Sequence, residues 1–141
     1  MKRLIALTLA CGLLLTLVAA VASSAQTVGL RLNVTFSFNV DEKVLPPGDY
    51  VVLSPQAQRL TILGPDGAAA LALVNQTSGK RPAADGALVF TCYGERCFLS
   101  QFWSARRDTG QQVLKSNFEK RLATQKEMLA VITLRAKPYP D

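Results

Sequence analysis

Every second residue from Val28 to Val40 is apolar. Val28, Leu30, Leu32, Val34, Phe36, Phe38 and Val40 alternate with Gly29, Arg31, Asn33, Thr35, Ser37 and Asn39 without a fault. Successive side chains of an extended chain point to opposite sides, so a period of two describes a strand with one buried face and one wet face. The spacing predicts one long strand over residues 28–40, which a bend or bulge near Asn33 would divide. The apolar side needs a cover, and a sheet-built core is the expectation.

The downstream chain repeats this style in shorter pieces. Pro46-Pro47-Gly48 cannot continue a ladder, so residues 41–48 read as a turn. A short strand over 50–53 follows. Residues 59–63 and 68–74 flank Gly64-Pro65-Asp66-Gly67, a turn sequence that predicts a hairpin with Leu60 and Ile62 on one face. Residues 75–86 are polar, hold Gly79, Pro82 and Gly86, and read as a long exposed loop.

Residues 87–93 and 96–103 predict a second hairpin around the two-residue turn Gly94-Glu95, with glycine supplying the positive φ at the first central position. Counting outward pairs Tyr93 with Arg96, then Cys92 with Cys97 in a non-hydrogen-bonded pair, where side chains approach most closely. A cross-hairpin disulfide is the expectation, against two reduced cysteines packed as small apolar residues or a redox pair. The spacing does not match a thioredoxin-type motif, which has two residues between its cysteines. The same register puts Leu88, Phe90, Leu99 and Trp103 on one face and Val89, Tyr93, Phe98 and Phe102 on the other. With both faces apolar, either a second layer covers the outer one, or Tyr93, Phe98 and Phe102 form an exposed binding patch. The cover on offer is a helix starting at Ser116, whose hydroxyl and Glu119 make a capping box, with Phe118 and Leu122 on its apolar stripe. Residues 129–135 close the chain as a branched-residue strand, and 137–141 read as a flexible tail.

The chain opens with Met1-Lys2-Arg3, an uncharged apolar run over 4–21, and Ser23-Ser24-Ala25. That order of positive start, apolar middle and small exit residues predicts a signal peptide over 1–25 cut after Ala25, with a retained anchor as the alternative. The fold expected is mainly β: a single antiparallel sandwich or barrel-like domain of about seven strands over residues 26–136, with one C-terminal helix. The basic residues, sixteen against ten acidic ones over the whole chain, are scattered rather than massed, which suits solubility more than a nucleic-acid partner.

The chain contains no histidine. Ser-His-Asp and Cys-His nucleophile sets and histidine zinc sites are thereby excluded, along with the commonest general base. No P-loop, dinucleotide fingerprint or calcium loop can be read. A non-enzymatic protein is therefore expected, with no catalytic residues, metal or cofactor.

Phe36-Ser37-Phe38-Asn39-Val40, then Lys43, then Leu45-Pro46-Pro47-Gly48-Asp49-Tyr50-Val51-Val52 resembles the opening of a group of small exported bacterial proteins of unassigned function. Their pattern is an alternating aromatic strand followed by Leu-Pro-x-Gly-x-Tyr. Leu88-Val89-Phe90, Tyr93-Gly94, Phe98-Leu99-Ser100-Gln101, Trp103, Gly110, Ser116 and Glu119 continue the resemblance in order over most of the mature chain. Cys92 and Cys97 depart from it, since other residues usually stand there. The resemblance implies a bacterial, exported domain and brings no substrate or catalytic residue with it. The expected function is a binding or structural module of the periplasm or extracellular space, with an envelope or extracellular partner and membrane contact only through the uncleaved leader. The alternative is a carrier of a hydrophobic small molecule, in a cavity lined by Phe36, Phe38, Phe90 and Trp103.

Overall fold

The alternating segment turns one side to the core, fully buried except at the half-buried Val28 and Phe36, but is shared between two strands, β1 (Val28–Val34) and β2 (Phe38–Val40), which part at residues 35–37. The computed structural model describes residues 28–56, 58–125 and 129–140. The signal peptide expected over 1–25 lies outside them. Beyond β2 come β3 (Lys43–Leu45), β4 (Gly48–Gln56), β5 (Arg59–Leu63), β6 (Ala69–Thr77), β7 (Gly86–Tyr93), β8 (Arg96–Ser104), β9 (Gly110–Val113), helix α1 (Asn117–Thr124), β10 (Leu129–Arg135) and β11 (Lys137–Tyr139). The fold is mainly β with one helix among the described residues, and it has eleven strands where about seven were expected.

Three of the additional strands are short segments of three or four residues. β3 occupies part of the stretch expected to be only a turn: Asp41 takes a left-handed φ of 55° and lets β2 and β3 form a tight hairpin with Val40 opposite Lys43. Short polar side chains tolerate that region better than branched ones. β9 lies in a stretch with too few residues to show a period. β11 corrects the expectation of a flexible tail, because Lys137, Pro138 and Tyr139 pair antiparallel with Arg31, Leu30 and Gly29. β6 also runs three residues further than expected, through Thr77, into the predicted loop.

The strands pair in the order β10-β7-β8-β9-β6-β5-β4-β1-β11, with β2 and β3 attached to the side of β8. All pairings are antiparallel except that of β2 with β8, where Asn39 stands opposite Phe98. The two ends of this path, β10 and β11, are consecutive in the chain with only Ala136 between them. The final segment therefore runs along both margins of the sheet. Ala136 is buried and its N–H donates to the Gly86 carbonyl at 3.0 Å, which ties the joint to β7. Gly86 has a φ of 116°, and a Cβ there would stand 2.5 Å from Leu30 Cδ2, so both backbone angle and close packing require glycine.

Inside the sheet lies one main core. Phe38 meets Tyr50 and Phe90 edge-to-face at 5.0 and 5.2 Å between ring centroids, and Phe36 meets Phe90 at 5.1 Å. These are favoured aromatic geometries. Leu30, Val34, Val52, Leu60, Ile62, Leu88 and Leu99 fill the space around them. The Tyr50 hydroxyl donates to the Pro46 carbonyl, so the one polar tip in the aromatic group is satisfied.

Candidate functional site

The hairpin of β7 and β8 has the predicted register near its turn. Gly94 takes a φ of 62°, Tyr93 pairs with Arg96, and Cys92 faces Cys97 with Cα atoms 4.0 Å apart and sulfurs bonded at 2.07 Å. Further along, the register shifts. Val89 pairs with Gln101 but Phe90 pairs with Leu99, so Ser100 is an extra residue in a bulge. Beyond a bulge every side chain changes face. Phe102 therefore sits opposite Leu88 in the main core, and Trp103 turns to the other side, against Gly110.

The candidate patch of Tyr93, Phe98 and Phe102 is thus not a surface. These residues are 4%, 2% and 1% exposed. Phe102 is lost to the core through the bulge, while Tyr93 and Phe98 form a second cluster with Leu122 and Phe118 of α1. The Tyr93 and Phe98 rings are 5.8 Å apart and Phe98 lies 6.0 Å from Phe118, whose outer side is met by Arg96 at 4.9 Å. Helix α1 is held there by its cap: the Glu119 N–H donates to Ser116 Oγ at 3.1 Å. The buried Glu119 carboxylate accepts from the Tyr93 hydroxyl at 3.3 Å. Burial pushes the Glu119 carboxyl above its ordinary range, while Lys115 and the Tyr93 hydrogen bond pull it down. Burial, together with Glu119, raises the Tyr93 phenol.

The residues expected to line a carrier cavity do not converge on one. Phe36, Phe38 and Phe90 pack on each other, and Trp103 lies on the other side of its strand, its indole N–H donating to Gln101 at 2.8 Å. At another point in the interior, Ser54 on β4 reaches across to Gln111 on β9 at 2.9 Å, and Arg107 donates to the Ser54 hydroxyl at 3.1 Å. This polar group joins two parts of the sheet and satisfies its own hydrogen bonds. Among the described residues, no three Cys, Asp or Glu side chains gather as metal ligands.

The exposed apolar surface is elsewhere, on the outer side of β5 and β6. Leu71 and Leu73 are 59% and 64% exposed, and Leu63 and Leu114 are exposed near them. Their positions follow from pairing: Leu71 stands opposite Thr61, Leu73 opposite Arg59, and Leu63 opposite Ala69, all on the face away from Leu60 and Ile62. Leu114 joins the group because its N–H donates to the Leu73 carbonyl, which extends the β6 and β9 pairing by one residue. Beside Leu71 lies an open groove of about 670 Å³, lined by Val40, Thr61, Ala69 and Ala70 and edged by Asp41, Glu42 and Lys43. Lys43 anchors its rim by donating to the Ala69 carbonyl.

A sequence signal for this surface was present. In β6, Ala70, Ala72 and Val74 are apolar on one parity and Ala69, Leu71 and Leu73 on the other. Such a strand has apolar side chains on both faces, and only one face can join the core. Comparison of the chain with known proteins finds no matching family model, no similar curated protein and no similar solved structure.

Proposed function

We propose that this chain is an exported, non-enzymatic binding module of the bacterial envelope or extracellular space, whose contact surface is the apolar face and groove around Leu71. One observation carries the reading: a strand that is apolar on both sides leaves Leu71 and Leu73 in solvent beside an open groove. Contiguous apolar surface of this kind marks interaction sites in soluble proteins. The cross-hairpin disulfide suits an oxidising compartment, and the leader-like start supplies the address. The mutual packing of Phe36, Phe38 and Phe90 gives the carrier alternative no support.

The test has two arms. N-terminal sequencing of the protein recovered from the envelope fraction is expected to begin at Gln26. Affinity capture from envelope extract is then run with that protein and with Leu71→Asp. Loss of the captured species in the variant is the expected result. Equal capture by both proteins, or retention of the leader, removes the corresponding half of the reading.

A further inference from the structure

Helix α1 leaves part of the outer sheet face beside it uncovered. Tyr93 and Phe98 pack against the helix, but the face continues to Thr91 and, on the neighbouring β10, to Leu129 and Val131, which stand opposite Tyr93 and Thr91. Leu129 and Val131 are 59% and 63% exposed. From here a hollow of about 300 Å³ crosses the sheet beside α1, lined further on by Ser100 of β8, Gln112 of β9 and Lys115. The strands lie in the order β10-β7-β8-β9, so the lining changes in one direction: two aliphatic side chains, two hydroxyls, an amide and then an ammonium. Three inter-strand steps of about 4.8 Å make this a path of roughly 14 Å. The volume is at the small end of the range for small-molecule pockets, about 300–1,000 Å³.

Ser100 is the bulge residue of β8, with no residue opposite it on β7, and such insertions re-aim side chains beside functional sites. Thr91 and Ser100 are half-buried, and neither hydroxyl bonds to another described residue, so their hydrogen-bonding capacity is left to what fills the hollow. Lys115 brings the only charge in the lining. Glu119, which acts on it from the helix, is buried and bonded to Tyr93, and Asp41 shares a different hollow with Lys115, on the Leu71 side. Lys120 stands with it in a third.

We propose that the hollow binds a small amphiphilic carboxylate, with its carboxylate among Lys115, Gln112 and Ser100 and its hydrocarbon part on Leu129 and Val131. A carboxylate accepts from all three donors. A purely apolar molecule would cover Lys115 and the hydroxyls without pairing them, a cation would meet no acid in the lining, and a wholly polar molecule would leave the aliphatic end unused. This site is separate from the face around Leu71 and does not depend on that face having a partner.

The chain from Gln26 onward contains every described strand and the whole described core, and it is the form to titrate. Octanoate binding is followed by amide chemical shifts, with octanol, which lacks the charge, and butanoate, which lacks most of the chain, as comparisons. Saturable shifts at Thr91, Ser100, Gln112 and Val131 are expected, and each comparison compound should bind about tenfold weaker or more. Lys115→Gln and Val131→Asp should each raise the octanoate dissociation constant by about tenfold. Lys115 also acts on buried Glu119. Ser100→Ala is therefore run beside it, with a loss of about threefold or more expected, and circular dichroism checks that every variant is folded. Leu63→Asp, on the outer side of β5, should leave the affinity unchanged. The absence of a saturable shift with octanoate overturns the inference, as does an affinity indifferent to Val131→Asp. Octanol binding as tightly as octanoate would make the hollow merely apolar and remove the carboxylate. A loss with Leu63→Asp equal to that with Val131→Asp would put the ligand on the other face, and the site proposed here would fall while the face around Leu71 kept its reading.

Discussion

Glu119 is a buried acid held away from its ordinary state. Its carboxyl is buried under the helix it helps to start, and burial raises its pKa above the usual 4.5. A carboxyl whose folded pKa is raised favours the native state in its protonated form. That stability is fully present below the unfolded pKa and is lost as pH rises through the folded value. Glu119→Gln keeps an oxygen for the Tyr93 hydroxyl and removes the charge. Urea unfolding followed across about pH 4 to 8 is expected to show a flatter dependence for the variant than for the wild type. Parallel slopes would mean that the carboxylate is relieved by its neighbours at no cost to the fold. The residues that sequence reasoning placed correctly, Cys92 opposite Cys97 and Ser116 as the cap, depend on contacts within a few positions along the chain. Phe102 and Trp103 were assigned to exchanged faces because their positions depend on Ser100, a bulge residue with no local signature.

At the level of elements, the hairpin of β7 and β8 carries two devices that fix its register, the turn at Gly94 and the disulfide next to it. So short a closed loop restricts the unfolded chain little, and Cys92→Ser with Cys97→Ser is expected to cost about 2 kcal/mol or less in denaturant titration. The variant should fold with an unchanged circular dichroism spectrum. Intact mass of the wild type should rise by two hydrogens on reduction, and no change would show that the bond is absent in solution. The elements legible from sequence were those with a long period or a strong turn: the alternating start, β5 (Arg59–Leu63) and β10 (Leu129–Arg135). Those missed were short and bordered by proline, charge or glycine. β11 is the clearest case, since Lys-Pro-Tyr-Pro reads as a frayed end and becomes a strand only because β1 offers it an edge.

For the molecule as a whole, the overlooked strand matters most. A chain ending after Ala136 would leave the outer edge of β1 unpaired, and exposed edges invite intermolecular pairing. Deletion of residues 137–141 is expected to lower unfolding stability by about 2 kcal/mol or more, from lost ladder bonds and burial, and to promote aggregation visible by light scattering. An unchanged midpoint with no aggregation would restore these residues to the status of a dispensable tail. The overall class, mainly β with a helix laid on a two-faced hairpin, was legible because apolar periodicity is a property of the chain itself. Which apolar face remains in solvent was not, because α1 covers one and nothing among the described residues covers the other.

The joint at Ala136 also couples two borders that are distant in the chain. Leu129–Arg135 covers the edge of β7 and Lys137–Tyr139 that of β1, with one residue between the two coverings. Without them β7 and β1 would each have an unpaired side. Fraying at either border pulls on the other through Ala136, so amide hydrogens on both should exchange as one cooperative unit.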